Sequence, residues 1–226
     1  MKAVIAFAFL IAGISAGVLP GSEMQPDATR SERFITDSII SAIEDVSQDI
    51  KDAGFDPLHI KKEVFTYELP VPVIFNAAAF VEELFSIGLS EIVVNSMNYN
   101  ILLSRLTFDI ALPHIHLSAR VANGEATLFG ETLTVVSDGS VDVRGISVLG
   151  VVRVYPGIIS GISIRSIDID FSIGSISTNI RLAVQGQNYS HEINNLISST
   201  IPEVLDQYSA ELNELIEIIL LEAIND

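Results

Sequence analysis

The chain has 226 residues, a formal net charge of −17, 49% apolar residues and no cysteine, and its mean hydropathy is +0.46. This combination excludes an intrinsically disordered chain, which pairs high charge with low hydrophobicity, a disulfide scaffold and a zinc site built on thiolates. The acidic surplus also argues against nucleic acid, whose phosphates call for Lys and Arg, and against anionic membrane surfaces.

Met1 and Lys2 form a short basic start, residues 3–14 are an uncharged apolar run, and Ser15, Ala16 and Gly17 are small. This predicts a secretory signal peptide over residues 1–17. The alternative, a membrane anchor, is disfavoured because the run falls short of the roughly 20 residues a spanning helix needs. The remainder, residues 18–226, suits a single secreted domain. No later stretch favours stable membrane insertion: residues 215–224 are few and carry Glu217 and Glu222.

Residues 18–28 contain Pro20, Gly21 and Pro26 and read as a leader. Ile35, Ile39, Ile43, Val46 and Ile50 then recur at spacings of three and four, which predicts an amphipathic helix over residues 32–53. Thr29 and Glu32 suit a capping box, and Gly54 and Pro57 supply the stop.

Between residues 61 and 186 the period becomes two. Leu106, Phe108, Ile110 and Leu112 alternate with polar or small residues, the phase shifts after Pro113, and Ile115 and Leu117 continue it. Ile167, Ile169, Phe171 and Ile173 repeat the pattern. These are half-buried antiparallel strands. Asn123-Gly124, Asp138-Gly139 and Pro156-Gly157 are expected turns. Gly130, Gly145, Gly150, Gly161 and Gly174 are expected bulges and bends, so the sheet should curve strongly. Residues 76–85 fit helix or strand.

From Ile193 to Ile219 a wide apolar stripe returns at helical spacing, and about 35 residues are expected to be helical. Thr200 and Glu203 could cap a fresh helix with Pro202 in its first turn, or Pro202 could kink one continuous helix. The stripe and the inner face of the sheet are the two large apolar surfaces, and each is the natural cover for the other. The expected fold class is therefore α+β: a highly curved antiparallel β-sheet wrapped around a long C-terminal α-helix, plus the N-terminal amphipathic helix. Two interiors stay open. Val, Ile and Leu walls without a Trp can leave a tunnel for a small hydrophobic ligand, or the side chains can fill the space.

The order helix, then Phe55-Asp56-Pro57-Leu58, then the run from Ser86 to Val94, resembles the insect relatives of the group 7 mite allergens. So do the run from Leu106 to Pro113, the strand and turn from Val121 to Gly130, and Ile193-Asn194-Asn195-Leu196-Ile197 leading to Ile201-Pro202. That family is related to takeout proteins, juvenile hormone binding proteins and BPI-like lipid-binding proteins. The resemblance implies a super-roll, often with an apolar tunnel. The chain departs from takeout and juvenile hormone carriers, which typically have an N-terminal disulfide, and no basic tip for lipopolysaccharide is present.

Candidate tunnel-lining residues are Leu106, Phe108, Ile110, Ile115 and Leu117 from the sheet and Leu205, Tyr208 and Leu212 from the helix. Tyr208 can line an apolar wall while its hydroxyl meets a head group. The expected function is a secreted carrier of a fatty acid, terpenoid or other lipid. The alternative is a fully packed, allergen-like interaction protein that binds a protein partner and no small molecule.

Catalysis is not expected. His114 and His116 share a strand face, as metal ligands can, but no third ligand lies near. Asp168 and Asp170 alternate with apolar residues and should face water. No nucleophile elbow or phosphate loop stands out, and no cofactor is implied. Asn188 heads the sequon Asn188-Tyr189-Ser190, a potential N-glycosylation site.

Overall fold

The computed structural model describes residues 28–71, 74–155 and 163–225. The expected signal peptide, residues 18–27, the Pro156-Gly157 turn and Gly161 lie outside the described residues.

Helix α1 (Ala28–Asp52) starts four residues earlier than its apolar spacing suggested. Ile39 and Ile43 on its apolar face are buried, and Ile35 and Val46 pack beside them. Its C-terminus closes through Gly54 N–H to the Lys51 carbonyl and Phe55 N–H to the Ile50 carbonyl. A capping box needs Thr29 at the N-cap, but the helix already runs through Thr29, and Glu32 lies a turn inside it. Its carboxylate instead accepts the Ile101 N–H at 2.9 Å.

Seven antiparallel strands form one sheet: β1 (Leu58–Glu68), β2 (Phe75–Ile87), β3 (Val93–Asn100), β4 (Arg105–Leu128), β5 (Glu131–Tyr155), β6 (Ser163–Val184) and β7 (Gln187–Asn188). The order is β1-β2-β4-β5-β6-β7. β2 and β3 share one side of β4: β3 pairs with residues 105–111, and β2 with residues 116–128. The ambiguous segment at residues 76–85 is therefore strand, held between β1 and β4. Strands β4, β5 and β6 run for 24, 25 and 22 residues, several times the usual length of roughly five or six. Asn123-Gly124 and Asp138-Gly139 are not turns; both are paired positions inside these strands. The β4–β5 reversal falls at Phe129-Gly130 and the β6–β7 reversal at Gln185-Gly186.

The long strands bend along one transverse row. Apolar cross-strand rows run Leu106–Val152–Ile167, Phe108–Gly150–Ile169, Ile110–Val148–Phe171 and Leu112–Ile146–Ile173. The next apolar rows are Ile115–Val143–Ile176 and Leu117–Val141–Thr178. Even positions of β4 thus give way to odd ones, and odd positions of β6 to even ones, with no change of register. The switch falls between these sets, at Pro113, Gly145 and Gly174. Gly145 adopts φ +67°, which a side chain would resist. Pro113 falls where β4 passes from β3 to β2, so its missing N–H breaks no ladder. The row divides the roll into a first half, with β3, and a second half, with β1 and β2.

The C-terminal stripe is broken into α2 (Ser190–Asn195), a π-helical turn (Leu196–Thr200), α3 (Ile201–Gln207) and α4 (Ser209–Asn225). Of the two roles open to Pro202, the structure supports one continuous helical path interrupted there, widened to a π-helical turn just before Pro202. Thr200 is itself helical and makes no side-chain cap. Pro202 cannot donate to the carbonyl four residues back, and Ile201 N–H already reaches five back, to Leu196. A second break falls at Tyr208, φ −108° and ψ 27°.

These helices follow the edge of β6 in antiparallel sense. Ser190 Oγ accepts from Leu182 N–H and Asn194 Oδ1 from Ile180 N–H, both at 2.9 Å. Asn213 Oδ1 accepts from Phe171 N–H at 3.0 Å and Glu217 Oε1 from Ile169 N–H at 2.7 Å. On the opposite edge, Thr36 and Glu32 of α1 accept from Tyr99 and Ile101. Helix side chains thus satisfy part of the β6 edge and the end of β3, which blunts a template for stray pairing there. The core sits where α1 and α4 meet the first half: Ile39, Ile43, Leu106, Phe108, Ile110, Val152, Ile167, Ile169 and Leu220.

Asp56 fixes the joint between α1, β1 and the β2–β3 connection. Buried, it accepts from Gly88 N–H at 3.0 Å, Ser90 N–H at 2.7 Å and Ser90 Oγ at 2.5 Å. Burial alone would raise its pKa. The Ser90 hydroxyl, the two backbone donors and Lys51 outweigh it, so the carboxyl titrates below the ordinary value. Asp56→Asn is expected to cost about 1.5–3 kcal/mol, the range for hydrogen bonds to a charged group, read as a lower urea midpoint at pH 7. A depressed native pKa gives stability that is present above the unfolded value, near pH ~4, and lost as pH falls through the native one. The gap between wild type and variant should therefore shrink in acid.

Candidate functional site

The two halves of the inner face differ in closure. Among the described residues, every fully buried apolar side chain of the sheet belongs to the first half. There Phe108 lies across Gly150, where an added Cβ would stand 2.3 Å from the ring. Candidate residues Leu106, Phe108 and Ile110 are brought together here, under Ile39, Ile43 and Leu220. They form the closed end of the roll.

The second half presents apolar rows that remain partly open. Ile115, Val141, Val143, Ile176, Ile180 and Leu182 are half-buried, and Leu117 is 40% exposed. The cover is partial because the helices at this end follow only β6. At its far end a groove of about 320 Å³ is lined by Leu182, Val184, Tyr189, Glu192, Ile193 and Leu196. Candidates Leu205 and Leu212 are half-buried on α3 and α4. Tyr208 is 51% exposed at the break between those helices. Ile115 and Leu117 thus lie in the open half, while the three earlier sheet candidates lie in the closed one.

Sequence reasoning missed Leu182, Val184 and Tyr189. The signal was present in the alternation of Ile180, Leu182 and Val184 with Asn179 and Arg181, which continues the inner face of β6 to its end.

The two candidate histidines face outward, away from the apolar rows. His114 Nε2 and His116 Nδ1 both meet Asp142 Oδ1, at 2.7 and 3.0 Å. These two contacts pull the Asp142 pKa down. Asp168 pairs with Arg153 on the outer face. Among the described residues no group of three or more His, Asp or Glu is arranged to hold a metal ion. No helix among them is long and apolar enough to cross a membrane.

A rolled antiparallel sheet, closed at one end by two helices and apolar along its open inner face, defines an α+β roll protein. The chain belongs to the haemolymph juvenile hormone binding protein (JHBP) family, whose model matches residues 6–226. This agrees with the juvenile hormone binding protein kinship that its sequence resembles. No curated protein matches the chain. Among solved structures, it is similar to Takeout 1 of Epiphyas postvittana, with a TM-score of 0.44 and 11% identity, covering 85% of this chain and 89% of that one. It is also similar to a lipopolysaccharide binding protein, with a TM-score of 0.31 and 11% identity, covering 84% of this chain and 36% of that one.

Proposed function

We propose that the protein is a secreted carrier of a small hydrophobic ligand, such as a fatty acid or terpenoid, held along the inner face of the second half of the roll. The observation that carries this reading is the set of apolar rows from Ile115 to Leu182, left partly exposed on a concave face. The family's description as binding proteins for juvenile hormone supports it. In this reading Ile115 and Leu117 contact the ligand, and Leu205, Tyr208 and Leu212 flank it from the helices. Leu106, Phe108 and Ile110 form the wall where the site stops. Tyr208 offers a hydroxyl for a ligand head group. Asn188, exposed on β7, is the proposed glycan acceptor.

Burial supplies the energy. About ten methylenes at roughly 0.8 kcal/mol each give about 8 kcal/mol, a micromolar affinity before ordering costs. The roles proposed here require no chemistry beyond binding. Protein stripped of lipid should take up a fluorescent fatty acid saturably, with Kd in the micromolar range or below. Organic extracts of the untreated protein should contain lipid by mass spectrometry. No saturable uptake and lipid-free extracts together would leave the interaction-protein reading.

A further inference from the structure

Helix side chains cap parts of the β6 edge and the end of β3, but the outermost strand on the other side of the sheet stands bare. β1 is an edge strand of 11 residues, and among the described residues no strand pairs with its outer side. Every position from Lys61 to Glu68 is exposed, Val64, Phe65 and Tyr67 included. Leu69 N–H turns toward β2 and donates to the Phe75 carbonyl at 3.2 Å. Backbone groups alternate sides along an antiparallel strand, and the β1–β2 register does not shift. The N–H and C=O groups of Lys62, Val64, Thr66 and Glu68 therefore face away from β2. Phe65 stands on the inner face, in the row Phe65–Ala79–Gly124–Val135–Val184 that ends at the groove. A long, exposed, apolar edge of this kind is a template for another strand.

We propose that β1 pairs with β1 of a second copy across a two-fold axis at Phe65, joining the two sheets edge to edge. The charge order of the strand selects both this occupant and this register. In a two-fold antiparallel pair, residues equally far from the axis on either side stand opposite each other. With the axis at Phe65, Lys62 stands opposite Glu68 at both ends of the interface, and Val64 stands opposite Thr66. These are the four positions whose free backbone groups then exchange hydrogen bonds across the new edge. Phe65 meets its own counterpart on the inner face. Moving the axis one residue either way sets Ile60 or Val64 against Glu68 and loses both ion pairs. The Lys62 ammonium lies over the Phe80 ring, 5.0 Å from its centroid. That contact keeps it on the outer face, the same face of β1 that carries Glu68. A strand from an unrelated protein fits equally well only if it carries the same charges in reverse order. The proposal goes beyond the carrier reading and does not rest on it.

The test is sedimentation equilibrium of the protein at physiological ionic strength, where repulsion between two chains of net −17 is screened beyond about 8 Å. Wild type should show a reversible monomer–dimer equilibrium at micromolar concentrations. Lys62→Glu alone and Glu68→Lys alone each set like charges opposite at both ends, and each should weaken the dimer about tenfold or more. Mixed in equal amounts, the two variants should regain wild-type association as a heterodimer, because every charged pair is again of opposite sign. Thr66→Pro removes a donor from the free side of β1 and leaves the β1–β2 ladder its bonds, so it should abolish the dimer with a urea midpoint near that of wild type. A monomeric wild type overturns the proposal, as does a dimer that survives Thr66→Pro or either charge reversal. A mixture of the two charge variants that stays monomeric overturns it as well.

Discussion

Phe108→Ala is expected to destabilise the protein by about 3–5 kcal/mol, the range for truncating a buried aromatic. The site gives little scope for collapse. The ring covers Gly150 on the neighbouring strand, and Leu106, Ile110, Val152 and Ile169 complete the wall around it. α1 and α4 close over this wall with Ile39, Ile43 and Leu220. No other part of the described chain has a comparable set of buried side chains, so the loss falls on the one packed core. The converse change, Gly150→Val, forces side-chain atoms into the ring and should cost about 1–3 kcal/mol by overpacking. The two sites touch, so the double variant should cost clearly less than the sum, because the space left by one change admits the other. Urea denaturation of the four proteins reads this directly. A cost below about 1 kcal/mol for Phe108→Ala would mean that the first half is not the anchor of the fold.

Much of this fold was legible because hydrophobic period reports burial. The spacing of Ile35, Ile39, Ile43 and Val46 marked α1, and the phase shift after Pro113 marked the bend of β4 at its true place. What failed were features decided by partners distant in sequence. Asn-Gly and Asp-Gly pairs commonly make turns. Here Asn123 is paired with strands on both sides, Gly139 likewise, and Asp138 with β6, so ladder bonds override the local preference. Glu32 suited a capping box, but the Ile101 N–H on the edge of β3 takes its carboxylate. The C-terminal stripe correctly announced helix, yet not its route. Asn194, Asn213 and Glu217, to which the apolar spacing assigned no role, are the acceptors that seat the helices along β6. The candidate site was half legible for the same reason. Alternation named the inner-face residues, but closure of one half and openness of the other depend on where α1 and α4 dock, and no local pattern encodes that.

The site itself is open to an equally direct test, because two similarly exposed leucines lie on opposite faces. Leu117 is 40% exposed on the inner face of the second half, and Leu149 is 44% exposed on the outer face, paired with Asp109 and Asp170. Neither is packed in the core, so Leu117→Gln and Leu149→Gln should each shift stability by less than about 1 kcal/mol. Their effects on ligand should diverge. A ligand lying along Ile115, Leu117 and Val141 covers the residue at 117, which removes the favourable contact of a leucine and obliges a glutamine amide to leave water without a partner. About 1.4 kcal/mol is enough for a tenfold loss, so Leu117→Gln should weaken fatty-acid uptake about tenfold or more. Leu149→Gln should bind as wild type does. Equal affinities for both variants would place the ligand elsewhere in the roll. A loss shared by both would point instead to a general loosening of the sheet, which hydrogen exchange along β4 and β5 would register as lowered protection.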